Sequence, residues 1–324
     1  MKFLRYGHSN IFMLFLLIWA ATAKILANFF LLPTLADLNI DPVLLNLFIQ
    51  SITSLIPLIV FCIVTHKYFP PLRFYRPRTM GAFNIILIIA ITIFMYPLLS
   101  LIALIMNSIG FQNTAMESIA ESHATSFLAG LIATALIPTL FEESLFRGYF
   151  LAQQDKYGVK RAVILNALFF AFIHLNMLQL PYTFLMGIII ALLVYYTRSI
   201  LAGMLFHFLI NGISVVISFA GTLAAGTATE TTPQIDQAVS AGPALQTILI
   251  LLGVTVVTTA IAFFLLRKFI SHNKTRQIKL IEKHGADSYE IPVAEEGSTP
   301  FNPVFFVIVA VYILAMISVQ FLFS

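Results

Sequence analysis

The chain has 324 residues, of which 60% are hydrophobic and 10% charged, with a formal net charge of +4 and a mean hydropathy of +0.95. Soluble domains carry about 25% charged residues, so the composition excludes an ordinary soluble enzyme or binding module and predicts an all-α, polytopic membrane bundle. The single cysteine, Cys62, lies in an apolar run, which excludes an intramolecular disulfide and a cysteine metal cluster.

A hydrocarbon core about 30 Å thick takes about 20 apolar residues per helix. In chain order the sequence predicts about nine spans, at 11–32, 43–65, 82–106, 126–153, 160–177, 181–197, 200–220, 244–266 and 303–323. Residues 1–23 resemble a signal peptide, with Lys2 and Arg5 before an apolar run and Ala21-Thr22-Ala23 in place of a cleavage site. The run continues to Leu32, which favours a retained first span. Lys24, toward the outer end of that span, reads as a side chain that snorkels to the interface.

The basic residues fall between alternate spans. Lys2 and Arg5 precede the first, and Lys67, Arg73, Arg76 and Arg78 follow the second. Lys156, Lys160 and Arg161 follow the fourth, Arg198 the sixth, and Arg267, Lys268, Lys274, Arg276, Lys279 and Lys283 the eighth. The opposite loops, 33–42, 107–125, 178–180 and 221–243, contain no Lys or Arg. Positive charge gathers on the cytoplasmic side, so the N-terminus is expected in the cytoplasm and the C-terminus outside. Basic loops beside an anionic leaflet account for the net charge without nucleic acid as a partner.

Four regions follow from this pass. Residues 1–125 hold the first three spans and 126–220 hold a core of four. Residues 221–243, small and polar, read as a flexible external loop. Residues 244–324 hold the last two spans, joined by a solvated cytoplasmic segment, 267–300, that passes from basic to acidic.

Within the core region, residues 141–148 read FEESLFRG directly after the apolar run SFLAGLIATALIPTL. A charge near the bilayer centre costs about 2.5–3.5 kcal/mol on insertion scales, so Glu142, Glu143 and Arg147 must be compensated or lie outside the membrane. Leu145, Phe146, Tyr149, Phe150 and Leu151 keep the stretch apolar past the charges, which favours a helix that continues to the QQDKYGVKR segment and turns at Gly158. Glu142 then lies about 16 Å from that end at a 1.5 Å rise per residue. Glu143 and Arg147, four apart, share a face and can pair, whereas Glu142 is rotated about 100° away. Pro138 can bend the helix nearby.

The same arithmetic carries His174 to about 24 Å along the fifth span, and His207 and Asn211 to about 13 and 20 Å along the seventh. His207 and Asn211 are also four apart on one face. Glu142, His174, His207 and Asn211 can therefore converge in a polar cavity reached from the cytoplasm. Intramembrane ionisable groups mark functional sites by default, although a histidine in a membrane helix also occurs as a hydrogen-bonded packing residue. One carboxylate and two histidines are equally the ligand set of a hydrolytic zinc site, so Glu142, His174 and His207 form an alternative metal set.

Glu142, Glu143 and Arg147 (EExxxR), Phe170 to His174 (FxxxH) and His207 to Asn211 (HxxxN) occur in this order on successive spans. The pattern resembles the CPBP family, which comprises the CAAX prenyl endopeptidases and the bacteriocin-processing or Abi-type intramembrane proteases. The resemblance covers about 126–220 and implies glutamic endopeptidase activity without a cofactor. Glu142 would act as general base toward a water, His174 would hold that water, and His207 and Asn211 would stabilise the oxyanion. Glu143, Arg147 and Phe170 would be structural support. The implied partners are the bilayer and a membrane-associated peptide, such as a lipidated CAAX-like tail or a bacteriocin-type precursor. In a prokaryote the location would be the plasma (inner) membrane. Other function classes remain: a non-catalytic immunity or scaffold protein, or a transporter, although no broken-helix repeat supports transport.

Overall fold

The computed structural model describes residues 8–31, 34, 52, 56, 57, 59, 63, 80–111, 127–227, 241–284 and 300–323. These residues form α1 (His8–Leu26), prolonged by a π-helical stretch (Ala27–Leu31), then α2 (Ala82–Ser108) and α3 (Phe127–Tyr157). They continue as α4 (Val159–Phe172), α5 (Leu180–Thr197), α6 (Ile200–Thr227), α7 (Ala241–His284) and α8 (Pro303–Phe323). No strand occurs among the described residues. Lipid offers the backbone no hydrogen bonds, so apolar segments of this length satisfy their peptide groups internally as helices. Among the described residues, α2, α3, α5, α6 and α7 are long and apolar enough to cross a bilayer, and α1 and α8 contain shorter apolar helices. The chain is an integral membrane helical bundle, as its composition implies. The expected span at 43–65 lies outside the described residues except for isolated positions.

Three boundaries differ from the sequence expectation. The segment expected as a span over 160–177 is helical only over Val159–Phe172, about 21 Å at 1.5 Å per residue. Leu175 takes a left-handed φ of 49°, a conformation that ends helices. The Asn176 side-chain oxygen then accepts from the N–H groups of Leu178 (2.8 Å) and Gln179 (3.3 Å), so a side chain competes with the helix for these donors. Conversely, α7 runs unbroken for 44 residues to His284, well past the expected end at 266. No Gly or Pro interrupts 254–284, and Gly285 follows, a residue that favours helix termination. At about 66 Å this helix is twice the hydrocarbon thickness. α6 likewise continues to Thr227, into the segment expected as a loop.

α4 and α5 pack as a hairpin, α6 lies along α3 and α5, α2 packs on α6 and α7, and α1 packs on α8. Without a hydrophobic driving force between helices in lipid, close approach of small residues and interhelical hydrogen bonds hold such contacts. Gly187 of α5 faces Ala167 of α4, where an added Cβ would lie 2.9 Å from the Ala167 Cα. Between α2 and α7, Asn84 and Asn273 exchange amide hydrogen bonds of 3.1 and 3.0 Å. The segments assigned by charge to one side of the membrane meet at one end of the bundle. There Arg198 is buried against Asp155 at 2.7 Å, and Gln277 Nε2 donates to the Tyr196 carbonyl at 2.7 Å. Along the membrane stretch of α7, Ile250, Val256 and Phe264 are 65%, 67% and 66% exposed, an apolar surface suited to lipid.

Candidate active site

FEESLFRG continues α3 through the bundle, and every residue from Glu143 to Leu151 is buried. The turn expected at Gly158 is present, with φ 78°. The local register is not purely α-helical: Leu131–Leu136 and Ser144–Phe150 are π-helical, a local widening that recurs at functional sites. In the second π stretch the Leu151 N–H reaches back five residues to the Phe146 carbonyl. Buried Asn166 of α4 donates to that carbonyl at 2.8 Å and to Gln154 Oε1 at 3.1 Å, so a neighbouring helix supports the loosened turn. Pro138 has no N–H, and an α-helical register would leave the Thr134 carbonyl without that partner. Asn211 of α6 donates its side-chain amide to this carbonyl at 3.0 Å.

Glu143 is the centre of the charged cluster. Its Oε1 accepts from Arg147 Nη1 at 3.0 Å and from His207 Nδ1 at 2.8 Å, and the side chains of Glu143 and Arg147 are 0% exposed. The predicted Glu143–Arg147 pair is present, and His207 joins it as a third member that spacing within one helix could not disclose. The guanidinium lies 4.3 Å above the Phe170 ring, within cation–π range, and Nη2 points to the Gly187 carbonyl at 3.4 Å. Because a carboxylate oxygen only accepts, the proton of this His207 tautomer sits on Nδ1. Nε2 is left facing Glu142 Oε2 at 3.9 Å. That separation is too long for a direct hydrogen bond and suits a bridging water. Glu142 is 17% exposed, so the adjacent carboxylates occupy different environments, as the 100° rotation implied.

His174 lies just beyond α4. Its Nδ1 donates to the Phe170 carbonyl at 2.8 Å, which leaves Nε2 as the unprotonated nitrogen of the neutral ring. The Phe170 ring stands edge-on between the two histidines, 5.1 Å from His174 and 5.8 Å from His207. The structure thus gathers Glu142, Glu143, Arg147, Phe170 and His207 into one cluster, joins His174 to it through Phe170, and sets Asn211 one turn beyond His207. Left-handed φ at a non-glycine residue costs about 1–3 kcal/mol and persists where its surroundings enforce it. Leu175, next to His174, is such a residue and is buried.

Two residues were not legible from motif spacing. The Lys24 side-chain nitrogen donates to the His174 carbonyl, which corrects the reading of Lys24 as a snorkelling side chain. Gly203, four residues before His207, permits Glu143 to approach α6. A Cβ there would lie 2.7 Å from Glu143 Oε2 and 2.8 Å from Cγ2 of both Ile190 and Val194. These branched side chains are stiff, and Glu143 is held by two partners. Gly203→Ala is expected to lower stability by about 1–3 kcal/mol through overpacking, even though Ala is the better helix former. Gly212→Ala, where the nearest atom would be 3.5 Å away, should not destabilise. Denaturation of the two variants in nanodiscs would show the contrast, and equal stabilities would refute it.

Of the alternative zinc set, Glu142 and His207 face each other, while among the described residues no group of three His, Cys, Asp or Glu side chains is gathered as a metal ion would require.

Residues 124–213 match the family described as Type II CAAX prenyl endopeptidase Rce1-like. The matched stretch contains all three motifs and runs from the start of α3 into α6. It bears out the resemblance drawn from EExxxR, FxxxH and HxxxN. No curated protein and no solved structure matches the chain.

Proposed function

We infer, from a membrane bundle whose residues 124–213 match the Rce1-like CAAX endopeptidase family, that the chain is a membrane endopeptidase, and we propose a glutamic mechanism for it. The observation that carries the mechanism is Glu143 accepting from both Arg147 and His207 Nδ1, which aims His207 Nε2 at Glu142. A carboxylate that fixes a histidine tautomer is a recurrent device for orienting a reactive imidazole.

Glu142 takes a proton from a water placed against its carboxylate, and the water oxygen attacks the scissile carbonyl carbon. General-base assistance of this kind contributes about 10²–10⁴ in rate. His207 Nε2, unprotonated in this tautomer and so not a donor to the oxyanion, shares the water's second hydrogen with His174 Nε2, and the two rings hold the water in line. The tetrahedral intermediate carries an oxyanion. Asn211, with one amide hydrogen on the Thr134 carbonyl, has a second to donate to it; one such donor is worth about 2.7–4 kcal/mol. Collapse breaks the C–N bond, and the proton held by Glu142 passes to the leaving amine. The products are a new carboxylate and a new amine terminus. No metal takes part in this scheme, so cleavage should survive exhaustive dialysis against a strong chelator. Loss of activity that only zinc restores would replace the glutamate mechanism by one with Glu142, His174 and His207 as ligands.

The substrate we propose is a membrane-associated peptide, either a lipidated C-terminal tail of CAAX type or a small precursor of bacteriocin type. The lipid chain would lie among the helices, and the site would open to the cytoplasmic side of a plasma membrane. The test is a comparison of peptide termini in the membrane and secreted peptidomes of cells carrying the wild type or Glu142→Gln. Termini that depend on Glu142 identify the substrate; identical peptidomes would favour a non-catalytic scaffold or immunity role.

A further inference from the structure

α1 lies outside the family-matched segment, yet it runs along that segment at two points. Near its start, Phe12 stacks on Phe150 (5.6 Å, 28°) and meets Tyr149 edge-on (5.7 Å, 90°), both in the π-helical stretch after Glu143. In its last turn, Lys24 donates to the His174 carbonyl. These contacts are twelve residues apart, about 18 Å along one helix, so α1 spans from the back of the EExxxR turn to the end of α4. α8 braces the same place. Tyr312 stacks on Phe172 at 4.1 Å and 14°, and Asn10 ties α1 to the start of α8 through the Pro300 carbonyl and Asn302 Oδ1, both at 3.1 Å.

The group Lys24 holds is unusual. The backbone of His174 and Leu175 leaves α4 with a left-handed residue inside the bundle, and non-helical backbone at membrane depth is tolerated only where protein satisfies its polar groups or where it lines a wet cavity. A donor at the C-terminal end of a helix also meets carbonyls that carry partial negative charge. Because the His174 ring is itself fixed by its Nδ1–H on Phe170, immobilising the His174 carbonyl leaves the imidazole little freedom to turn.

We propose that Lys24 is a positioning residue for His174, through which α1 sets the direction of the His174 Nε2 in the active site. The inference rests on the role given above to His174, and its test separates the two. Lys24→Met keeps an unbranched helix-forming side chain and removes the donor, and Lys24→Arg restores one. With a fluorogenic peptide bearing a farnesylated CAAX tail, in nanodiscs, Lys24→Met should lower kcat about tenfold or more with little change in KM, since misplacement of about 1 Å can cost 10²-fold. Lys24→Arg should recover most of the loss. The measurement independent of turnover is the nitrogen-15 spectrum of labelled imidazoles, with His174 assigned by its loss in His174→Gln. Its signal should move or broaden in Lys24→Met and return in Lys24→Arg. An unchanged His174 signal, or a kcat loss that Arg does not recover and that follows a lower melting temperature, overturns the positioning role. Persistence of cleavage in Glu142→Gln would instead sink the glutamic reading, leaving the imidazole spectrum to decide on Lys24.

Discussion

Arg147→Met lowers the stability of the folded chain by about 3–5 kcal/mol, the usual cost of leaving one member of a buried ion pair behind. The reason lies in the accounting at Glu143. Its side chain has no exposed surface, and of its two oxygens only Oε1 is engaged, by Arg147 and His207. Without the guanidinium, one imidazole N–H faces a carboxylate that water does not reach. The double variant Glu143→Gln/Arg147→Met removes both charges and should recover much of the lost stability, because a buried pair replaced by neutral groups is often close to neutral. It should not recover cleavage, since His207 Nδ1 no longer has a charged acceptor. Denaturant or thermal unfolding of the single and double variants in one lipid environment, with peptide cleavage measured alongside, reads both effects. Loss of cleavage that tracks stability through all variants would show that the triad only holds the fold.

Glu142→Gln has the opposite signature. Turnover falls by about 10²–10⁴, whereas unfolding stays within the small range of partly exposed substitutions. Glu142 is 17% exposed and faces His207 at 3.9 Å, so among the described residues the nearly isosteric amide breaks no short ion pair. The discriminating measurement is cleavage beside stability for Glu142→Gln and Glu143→Gln. The first should be folded and slow, the second unstable. Wild-type turnover in Glu142→Gln would remove Glu142 from the chemistry.

The family resemblance was legible because its motifs are local. Glu143 with Arg147, Phe170 with His174 and His207 with Asn211 each sit four apart, a spacing one helix face makes intelligible. The triad was legible only in half, because the His207 contact to Glu143 crosses from α6 to α3 and no periodicity within either helix encodes it. Gly203 carries its information in a missing Cβ, which acquires meaning only when a partner helix is in place. Lys24 misled for a related reason: snorkelling is the common fate of a lysine near a span end, and the carbonyl it meets exists only because α4 stops early. The early stop was itself hidden, since Ile173, Leu175, Met177 and Leu178 keep the stretch apolar while backbone conformation and the Asn176 side chain end the helix.

The π-helical turn at Ser144–Phe150 has a consequence for how this span can vary. A π turn holds one residue more than the α turn it replaces, so its residues are counted as well as chosen. Removing one of them would let the segment relax into regular α-helix with the span still apolar, and a hydropathy profile would scarcely register the change. The helix beyond the deletion would keep its orientation, because the α turn needs one residue fewer, but the side chains inside the turn would change direction and the Phe146 carbonyl that Asn166 serves would be drawn into the α-helical pattern. This stretch of α3 should therefore accept substitution more readily than a change of length: a deletion among Ser144–Phe146 breaks the EExxxR spacing, and one among Gly148–Phe150 keeps the motif in letters while removing the widened turn behind it.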